Sequence, residues 1–371
     1  MQSSSSSKGF LLTRQWRDTP KGIELEFWVQ TDAGPARIII NQQQAVCFVR
    51  QTTKLPLPLN NKVQRKPLEL LTLDQEPVDG LYFSQQRELN QLRERLSYDK
   101  SLLLESEIKP ADRYLMERFI TAGLEIYGEG RQQNGYIEFY NPKLKAAEYQ
   151  PSLRWLSIDI ETEGLVGRLL SIAVTCQDQE QVFVLTSNVE QTDSGMPIQW
   201  CASERDLIEG AFAWINHYDP DVFIGWNVVA FDLDYLEKKC RQLRIPFALG
   251  RGNANATLLR PQGAGQMYLA RIPGRFVLDG ITSLRGAFWS FESFALDHVA
   301  SELLGKQKLV TVEGAEKVAE IVRLFEEDPI ALAHYNLEDC RLVADIFEKT
   351  DLFNFSIQRA KMTGLAIDRQ G

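Results

Sequence analysis

Apolar runs separated by turn-forming residues mark the first 150 positions of the chain. Three strand-like runs come first, at residues 10–12, 23–29 and 36–40, with turns rich in proline and glycine between them. From residue 80 onward the pattern predicts a strand at residues 81–83, a helix at 85–96 and a strand at 102–105, and a short helix and a hairpin follow. We expect residues 9–150 to form a small β-rich α+β domain, preceded by a disordered, serine-rich tail at residues 1–8.

The second part of the chain combines strands with longer helices. Three strand patterns predict an antiparallel meander at residues 156–162, 169–176 and 181–186. The last long helix is expected to begin at the N-cap Asp328, with Pro329 in its first position. We predict the α/β (α+β) fold class, with a mixed sheet in a domain over residues 151–350 and a connector over residues 351–371.

The strand at residues 156–162 carries two carboxylates on one face. Side chains two positions apart on a strand share a face, so its apolar residues are expected to face a core, while Asp159 and Glu161 lie opposite. Neighbouring carboxylates repel each other unless a cation lies between them, and Mg²⁺ or Mn²⁺ accepts oxygen ligands. The alternative is an ordinary solvated strand face, which this pair alone does not exclude.

Two further acidic motifs lie on different elements. Asp232 follows Asn227 and Phe231 at a predicted strand-to-helix turn, and Asp339 follows Tyr335 by four residues in the last long helix. The helix dipole alone is an adequate explanation for a carboxylate in a first turn, such as Asp232. Four carboxylates from distant parts of the chain are harder to explain by stability, because clustered like charges destabilise a site that lacks cations.

His334 precedes Asp339 by five residues and Tyr335 precedes it by four. At about 100° per residue, Tyr335 lies about 40° from Asp339 around the helix, whereas His334 lies about 140° away. Because the helix is expected to begin at Asp328, before both residues, Tyr335 is predicted to share the face of Asp339. His334 is predicted to be a partly exposed bystander.

Composition and charge limit the possible functions. The 371 residues suffice for two domains, and the contents of 44% hydrophobic and 25% charged residues are typical of soluble globular proteins. No apolar run approaches the ~20 residues that a membrane span needs. The net charge of −9 counts against a chain that wraps nucleic acid by itself. Five scattered cysteines without CxxC spacing favour a reducing cytoplasm, without a disulfide framework or a zinc site.

Basic residues are nevertheless clustered in two stretches. One runs from Arg37 through Arg50 to Lys66, and the other from Arg251 to Arg275. Each is either a phosphate-binding track or ordinary solvated surface, and the sequence does not separate these alternatives.

The three acidic motifs, in this order and on these elements, resemble exonuclease motifs I, II and III of the DEDD superfamily, whose proofreading members have a ribonuclease H-like fold. Residues 113–120, 155–162, 219–227 and 279–305 also resemble family B DNA polymerases, in particular the bacterial polymerase II type. The sequence contains no Asp-x2-Ser-Leu-Tyr-Pro segment and no Asp-Thr-Asp triplet. The resemblance therefore implies an N-terminal domain and a 3′–5′ exonuclease domain, without polymerase activity.

A site and a reaction follow from this resemblance. Two divalent cations, Mg²⁺ or Mn²⁺, about 3.5–4 Å apart, would be held by Asp159, Glu161, Asp232 and Asp339. They would support hydrolysis of the 3′-terminal phosphodiester of single-stranded or frayed DNA, with Tyr335 orienting the attacking water. Asn227 and Phe231 would contact the terminal nucleotide, where an aromatic ring can stack on a base. For Phe231, a position in the core is the alternative.

The implied partners are single-stranded or primer-template DNA, the polymerase domain of a full-length protein and, through regions outside this sequence, a sliding clamp. No membrane partner is expected, and the location would be the bacterial cytoplasm, in association with the nucleoid. One rival function is a non-catalytic module that binds template or supports a polymerase. Another is an RNA-trimming exonuclease, because sugar selection depends on contacts to the 2′-hydroxyl that the sequence does not place.

Overall fold

The computed structural model describes residues 6–55, 63–186, 195–261, 268–306 and 314–369. The chain divides into two compact units, Met1–Pro151 and Ser152–Gly371. No helix in the described part of the chain is long and apolar enough to cross a membrane.

Strands dominate the described part of the first unit. They are β1 (Ser6–Thr19), β2 (Gly22–Thr31), β3 (Gly34–Gln43), β4 (Ala45–Arg50), β5 (Gln64–Leu71), β6 (Pro77–Phe83), β7 (Gly123–Tyr127), β8 (Gly130–Gln132), β9 (Ile137–Tyr140) and β10 (Lys143–Ala146). The helices are α1 (Gln86–Arg95) and α2 (Pro110–Met116). One sheet has the order β10-β7-β1-β2-β3-β9-β8, and a smaller sheet has the order β4-β6-β5.

The three strand-like runs predicted at residues 10–12, 23–29 and 36–40 form the centre of the larger sheet. β1, β2 and β3 pair antiparallel in sequence order, and the glycines that open β2 and β3 both have positive φ, which residues with a side chain rarely adopt. Period-two alternation buries one face of β2 completely, at Ile23, Leu25, Phe27 and Val29. Apolar residues of α1 and α2 join the same core.

Two predictions for this unit are wrong. Of the predicted disordered tail, residues 1–5 lie outside the described residues, but Ser6, Ser7 and Lys8 belong to β1 and pair with β7. Extended backbone can add to a sheet whatever its side chains, and the Ser6 hydroxyl also donates to Glu125 at 2.7 Å. The strand expected at residues 102–105 is reduced to a single bridge between Leu104 and Phe48.

The second unit combines a central sheet with helices. Its strands are β11 (Trp155–Thr162), β12 (Leu169–Cys176), β13 (Gln179–Leu185), β14 (Ile198–Cys201), β15 (Val222–Gly225), β16 (Thr257–Leu259), β17 (Leu269–Arg271) and β18 (Phe276–Asp279). Its helices are α3 (Glu204–Tyr218), α4 (Asp234–Leu243), α5 (Gly280–Gly286), α6 (Leu296–Leu304), α7 (Gly314–Glu327), α8 (Pro329–Lys349) and α9 (Leu352–Thr363). A π-helical turn (Val229–Leu233) precedes α4, and a 3₁₀ turn (Arg251–Asn253) follows it.

The central sheet is mixed, as predicted. Its order is β14-β13-β12-β11-β15-β18, and β16 pairs with β17 separately. β11, β12 and β13 form the predicted antiparallel meander, whereas β15 pairs parallel with both β11 and β18. β11 pairs with β15 through its first residues, Trp155 to Ser157, and with β12 through residues 157–162, which include Asp159 and Glu161.

Helices cover both faces of this sheet. The apolar face of β11, with Leu156, Ile158 and Ile160, packs in a core shared with α3 and α4. On the other face, α8 contributes Ala333, Leu337 and Cys340 to a separate apolar cluster with β12 and β13. The alternative of a solvated strand face is therefore wrong, because α8 lies over that side of the sheet.

The helix boundaries near the last motif follow the predicted capping. α8 begins at Pro329, and the Asp328 carboxylate accepts a hydrogen bond from the Ala331 amide at 3.0 Å. α7, which immediately precedes this cap, was not predicted. Its apolar residues Ile321 and Leu324 are buried with Leu170 and Leu332, so tertiary packing holds it against the domain.

Candidate active site

Three of the predicted carboxylates form a close cluster. Carboxylate oxygens of Asp159 and Glu161 on β11 and of Asp339 on α8 lie within 4.8 Å of one another. Glu161 and Asp339 are buried, and Asp159 is partly buried. Because β11 presents Asp159 and Glu161 on the face that α8 covers, a strand and a helix from distant parts of the chain build this cluster together.

The fourth carboxylate, Asp232, lines the same cavity of about 370 Å³. It lies in the π-helical turn before α4 and is only 1% exposed. Its Oδ1 accepts a hydrogen bond from the backbone N–H of Ile160 at 3.1 Å, which ties it to β11 between Asp159 and Glu161. Burial raises the pKa of Asp232 well above its usual range, and the negative charges of Asp159 and then Glu161 raise it further.

The turn that carries Asp232 is fixed by a hydrogen bond to Asp279, at the end of β18. Asn227 adopts a left-handed conformation with φ of +57°, which reverses the chain after β15. The N–H of the next residue, Val228, donates to Asp279 Oδ2 at 2.7 Å. The other oxygen of Asp279 accepts from the Thr282 amide at 3.1 Å and caps α5. One partly buried carboxylate thus fixes both the turn and a helix start, and desolvation raises its pKa.

Tyr335 and His334 lie on different sides of α8. Tyr335 is 2% exposed and lines the cavity, whereas His334 is exposed, as the helical geometry predicted. Burial raises the pKa of Tyr335, and the charges of Asp339, Glu161 and Asp159 and a hydrogen bond with Asp339 raise it further. The phenol is therefore neutral at ordinary pH and keeps a proton that it can donate.

Phe231 and Asn227, the two proposed nucleotide contacts, differ in their position relative to the cavity. Phe231 lines the cavity and also packs against the core cluster of the second unit. The contact with a nucleotide stays a prediction. Asn227 is exposed and does not appear among the residues that line the described cavity. Trp226, which sequence reasoning did not select, lines the cavity as a second aromatic side chain.

Lys317 is a cation of the site that sequence reasoning missed. It lies on α7, lines the cavity, and places its Nζ 5.6 Å from the centroid of the Tyr335 ring. Burial alone would lower the pKa of Lys317, but the negative charges of Glu161 and the other three carboxylates outweigh burial and raise it. The helical spacing of apolar residues in α7 was the available signal, but nothing local indicates that this helix faces the carboxylates.

Asn336 was also missed. Its Nδ2 donates to Asp159 Oδ2 at 2.6 Å, and its Oδ1 accepts from the Ser171 hydroxyl at 2.8 Å. Asn336 is fully buried beside Tyr335 on α8. A buried amide between a metal-site candidate and a neighbouring strand orients the carboxylate, and the sequence offered no signal for it beyond its place in the motif.

Several arginines of the two basic stretches form ion pairs with acidic residues of this chain. In the first unit, Arg37 pairs with Glu26 and Glu138, and Arg50 pairs with Glu76. In the second, the guanidinium groups of Arg251 and Arg275 are buried, and both contact Asp219 at 2.9 Å. Neither reading offered for these stretches, a phosphate track or plain solvated surface, describes these arginines.

The sheet, the helix that covers it and the clustered carboxylates define the class of the protein. The family described as "DNA polymerase family B, exonuclease domain" matches residues 101–299, and that described as "DNA polymerase II, N-terminal" matches residues 9–44. Since the first match spans more than half of the chain, this chain belongs to the family B DNA polymerase exonuclease domains.

Individual relatives agree with this assignment. The chain is 40% identical to DNA polymerase II of Escherichia coli (strain K12) over 370 residues, which is 98% of this chain and 46% of that protein. It is 29% identical to a DNA polymerase of Thermococcus litoralis over 226 residues, covering 59% of this chain and 13% of that one. The chain thus spans less than half the length of these relatives.

A solved structure shows the same fold. The family B DNA polymerase of the hyperthermophilic archaeon Pyrobaculum calidifontis matches with a TM-score of 0.77 at 18% identity, over 97% of this chain and 48% of that one. The predicted fold class is confirmed: a ribonuclease H-like exonuclease domain with a mixed sheet, preceded by a β-rich N-terminal domain.

Proposed function

We propose that this chain is the 3′–5′ proofreading exonuclease portion of a DNA polymerase II-like enzyme. It would hydrolyse the 3′-terminal phosphodiester of single-stranded or frayed DNA, in the DEDD branch that uses a tyrosine. The observation that carries the proposal is the cluster of Asp159, Glu161 and Asp339, with Asp232 in the same cavity. Membership of the exonuclease-domain family supports the reaction class.

The donor set fits divalent cations. Carboxylates gathered in a largely buried cavity are costly unless positive charge compensates them, and Lys317 supplies only one such charge. An all-oxygen set suits Mg²⁺ or Mn²⁺, and two such ions would be held by Asp159, Glu161, Asp232 and Asp339. When bound, these ions neutralise phosphate charge and make water a better nucleophile.

The residues around the carboxylates would position the reacting groups. Asn336 donates a hydrogen bond to Asp159, and the Ile160 amide donates one to Asp232. Both carboxylates are therefore oriented before substrate binds. The neutral Tyr335 hydroxyl would donate a hydrogen bond that orients the attacking water. Phe231 and Trp226 would enclose the terminal nucleoside, with Asn227 contacting it from the exposed turn.

The domain assignment accompanies this proposal. We propose an N-terminal domain over residues 9–150, the exonuclease domain over residues 151–350 and a connector over residues 351–371. The division of the chain into compact units after Pro151 supports the first boundary. The polymerase domain of a full-length protein and a sliding clamp are proposed partners, and the cytoplasmic, nucleoid-associated location stays a prediction.

The two rival functions make different demands on the site. A non-catalytic template-binding module has no need for a carboxylate cluster, and the presence of all four acids in one cavity favours the enzyme. An RNA-trimming exonuclease would use the same cluster. The family of the chain, named for DNA polymerases, favours DNA.

The test is degradation of 5′-labelled strands resolved nucleotide by nucleotide. A single-stranded DNA, a 3′-mismatched primer-template and an RNA of the same sequence are incubated with Mg²⁺, Mn²⁺ or EDTA. We expect one-nucleotide shortening of the DNA substrates with either metal, none in EDTA, and slower shortening of the RNA.

Charge-removing variants complete the test. Asp159→Asn and Asp232→Asn should abolish shortening while the chain stays folded. Asp345→Asn is the matched control, because Asp345 lies on α8 in a partly exposed ion pair with Lys306 and outside the cavity. A wild-type chain that leaves all three substrates intact, or an Asp159→Asn variant with wild-type rate, contradicts the proposed function.

A further inference from the structure

Aromatic side chains are concentrated in the segment that joins α5 to α6. We call Phe288, Trp289, Phe291 and Phe294 the aromatic platform. Phe288 is 92% exposed and Trp289 is 40% exposed, whereas Phe291 and Phe294 are partly buried. Exposed large aromatic groups that lie together on a surface mark binding sites more often than isolated ones do.

The rings of the platform are ordered against one another. Trp289 and Phe291 are stacked with an interplanar angle of 4° and centroids 6.1 Å apart. Phe294 meets Phe291 edge to face at 5.4 Å, and the exposed Arg285 places its guanidinium 4.4 Å from the Phe294 ring centroid. The platform therefore combines flat apolar faces with a positive charge at its edge.

The exposed Phe288 has an unfavourable backbone conformation. Its φ of +65° lies in the left-handed region, which is unfavourable for a bulky residue other than glycine. Backbone hydrogen bonds from Phe288 to Arg285 and from Trp289 to Leu284 fix this turn at the end of α5. The turn thus presents a large apolar ring to solvent although its local conformation is strained.

The platform is continuous with the cavity of the carboxylates. Trp226, which lines that cavity, donates its indole N–H to the Phe294 carbonyl at 2.8 Å. The residues directly after Phe294, from Ala295 to Asp297, line the cavity as well. A strand whose terminal nucleotide entered the cavity would therefore meet the platform with its adjoining nucleotides.

We propose that the aromatic platform is a stacking subsite for unpaired bases next to the nucleotide bound in the cavity. Every base offers a flat π face, so stacking holds a strand without reading its sequence, and Arg285 would contact the backbone phosphates. Stacking is the interaction that suits this chain, because its net charge of −9 gives it little long-range attraction to DNA. The proposal rests on the proposed function, which supplies the nucleic acid.

The test measures binding in EDTA, where no metal-dependent cleavage interferes. A fluorescein-labelled 12-nucleotide oligo(dT) and a dinucleotide are titrated with the 371-residue chain and followed by anisotropy. Phe288→Ala should weaken binding of the 12-mer by about 5- to 150-fold, the range expected for the loss of one base–aromatic stack. Dinucleotide affinity should not change, because the dinucleotide fits within the cavity. Phe288→Tyr should bind the 12-mer like the wild type.

Two variants separate stacking from other effects. Phe119→Ala is the matched control, because Phe119 is 87% exposed and also has a left-handed backbone, with φ of +54°. It should bind the 12-mer like the wild type. Phe288→Leu keeps an apolar side chain without a flat face and should be as weak as Phe288→Ala. A Phe288→Leu variant with wild-type affinity for the 12-mer would show that no flat ring is needed at this position and would overturn the stacking proposal.

The outcomes for the platform and for the nuclease can be told apart. If the wild-type chain shortens DNA while Phe288→Ala binds the 12-mer within twofold of wild type, the platform proposal alone fails. Absence of saturable 12-mer binding also overturns it. If binding depends on Phe288 as expected but no metal supports cleavage, the platform stands as a nucleic-acid surface and the proposed reaction fails.

Discussion

The amide of Asn336 connects α8 to Asp159 on β11 through a hydrogen bond of 2.6 Å from Nδ2 to Oδ2. The same side chain accepts a hydrogen bond from Ser171 on β12 at 2.8 Å. Two strands and a helix are thereby joined at the buried edge of the carboxylate cluster. Asp159 consequently has one of its two carboxylate oxygens oriented by a buried amide.

Replacing Asn336 should weaken metal binding and cleavage together. Asn336→Leu keeps most of the side-chain volume but removes the donor to Asp159 and the acceptor for Ser171. Loss of such an outer partner typically costs about 10- to 100-fold in metal affinity or activity. We expect an effect of this size in Mn²⁺ titration by calorimetry and in the rate of 3′-end shortening. Asn354→Ala is the control, since Asn354 is exposed and donates to Asp351 on the surface.

Tyr335→Phe should lower turnover markedly and leave metal affinity unchanged. The variant keeps the buried ring and its contact with Lys317 but loses the hydroxyl that would orient water. Single-turnover rates and Mn²⁺ titration separate the two quantities. His334→Ala, at the exposed neighbouring position, should be close to wild type. A dead His334→Ala variant together with an active Tyr335→Phe variant would reverse the assignment.

Asp219 should make the second unit sensitive to acid. It ends α3 in a left-handed conformation and accepts hydrogen bonds from Arg251 and Arg275 at 2.9 Å each. Burial alone would raise the pKa of Asp219, but the two guanidinium groups outweigh burial and lower it. Because the folded pKa is lowered, the stabilisation is present above the unfolded pKa of about 3.9 and is lost as pH falls through the folded value.

The Asp219→Asn variant tests this stabilisation. Asparagine tolerates the left-handed backbone, so the change removes mainly the charge opposite two buried arginines. We expect the free energy of unfolding at pH 7 to fall by about 3 kcal/mol, and the difference from wild type to shrink below pH ~4. Urea unfolding at several pH values measures both. Glu209→Gln, in an exposed ion pair with Arg205 on the same helix, should show little effect at any pH. A pH-independent difference for Asp219→Asn would rule out the charge as its cause.

Binding to blunt duplex DNA should be weak and should weaken further with salt. The chain carries a net charge of −9, and its buried arginines are already paired with acidic residues. Single-stranded DNA should bind better, because the cavity and the aromatic platform accept unpaired nucleotides. Anisotropy at 50 and 200 mM KCl measures both affinities. Duplex binding as tight as single-strand binding at 200 mM would contradict this expectation.

Local sequence patterns were enough to predict the strand and the helix that carry the site residues. Strict alternation at residues 156–162 placed Asp159 and Glu161 on one face of a strand, and the cap at Asp328 placed Tyr335 and Asp339 on one side of a helix. These inferences succeeded because side-chain direction within one element depends only on its period and its ends. The order of the acidic motifs was enough to indicate the family, and the comparisons confirm it.

The tertiary structure alone decided what surrounds the carboxylates. The hydrogen bond between Asp159 and Asn336 joins residues 177 positions apart. Lys317 reaches the cavity on a helix that no motif marks, and the platform borders the cavity because Trp226 contacts Phe294. Such neighbours result from the packing of whole elements across the sheet. Local periodicity gives the direction of each side chain but carries no information about which distant element will lie opposite it.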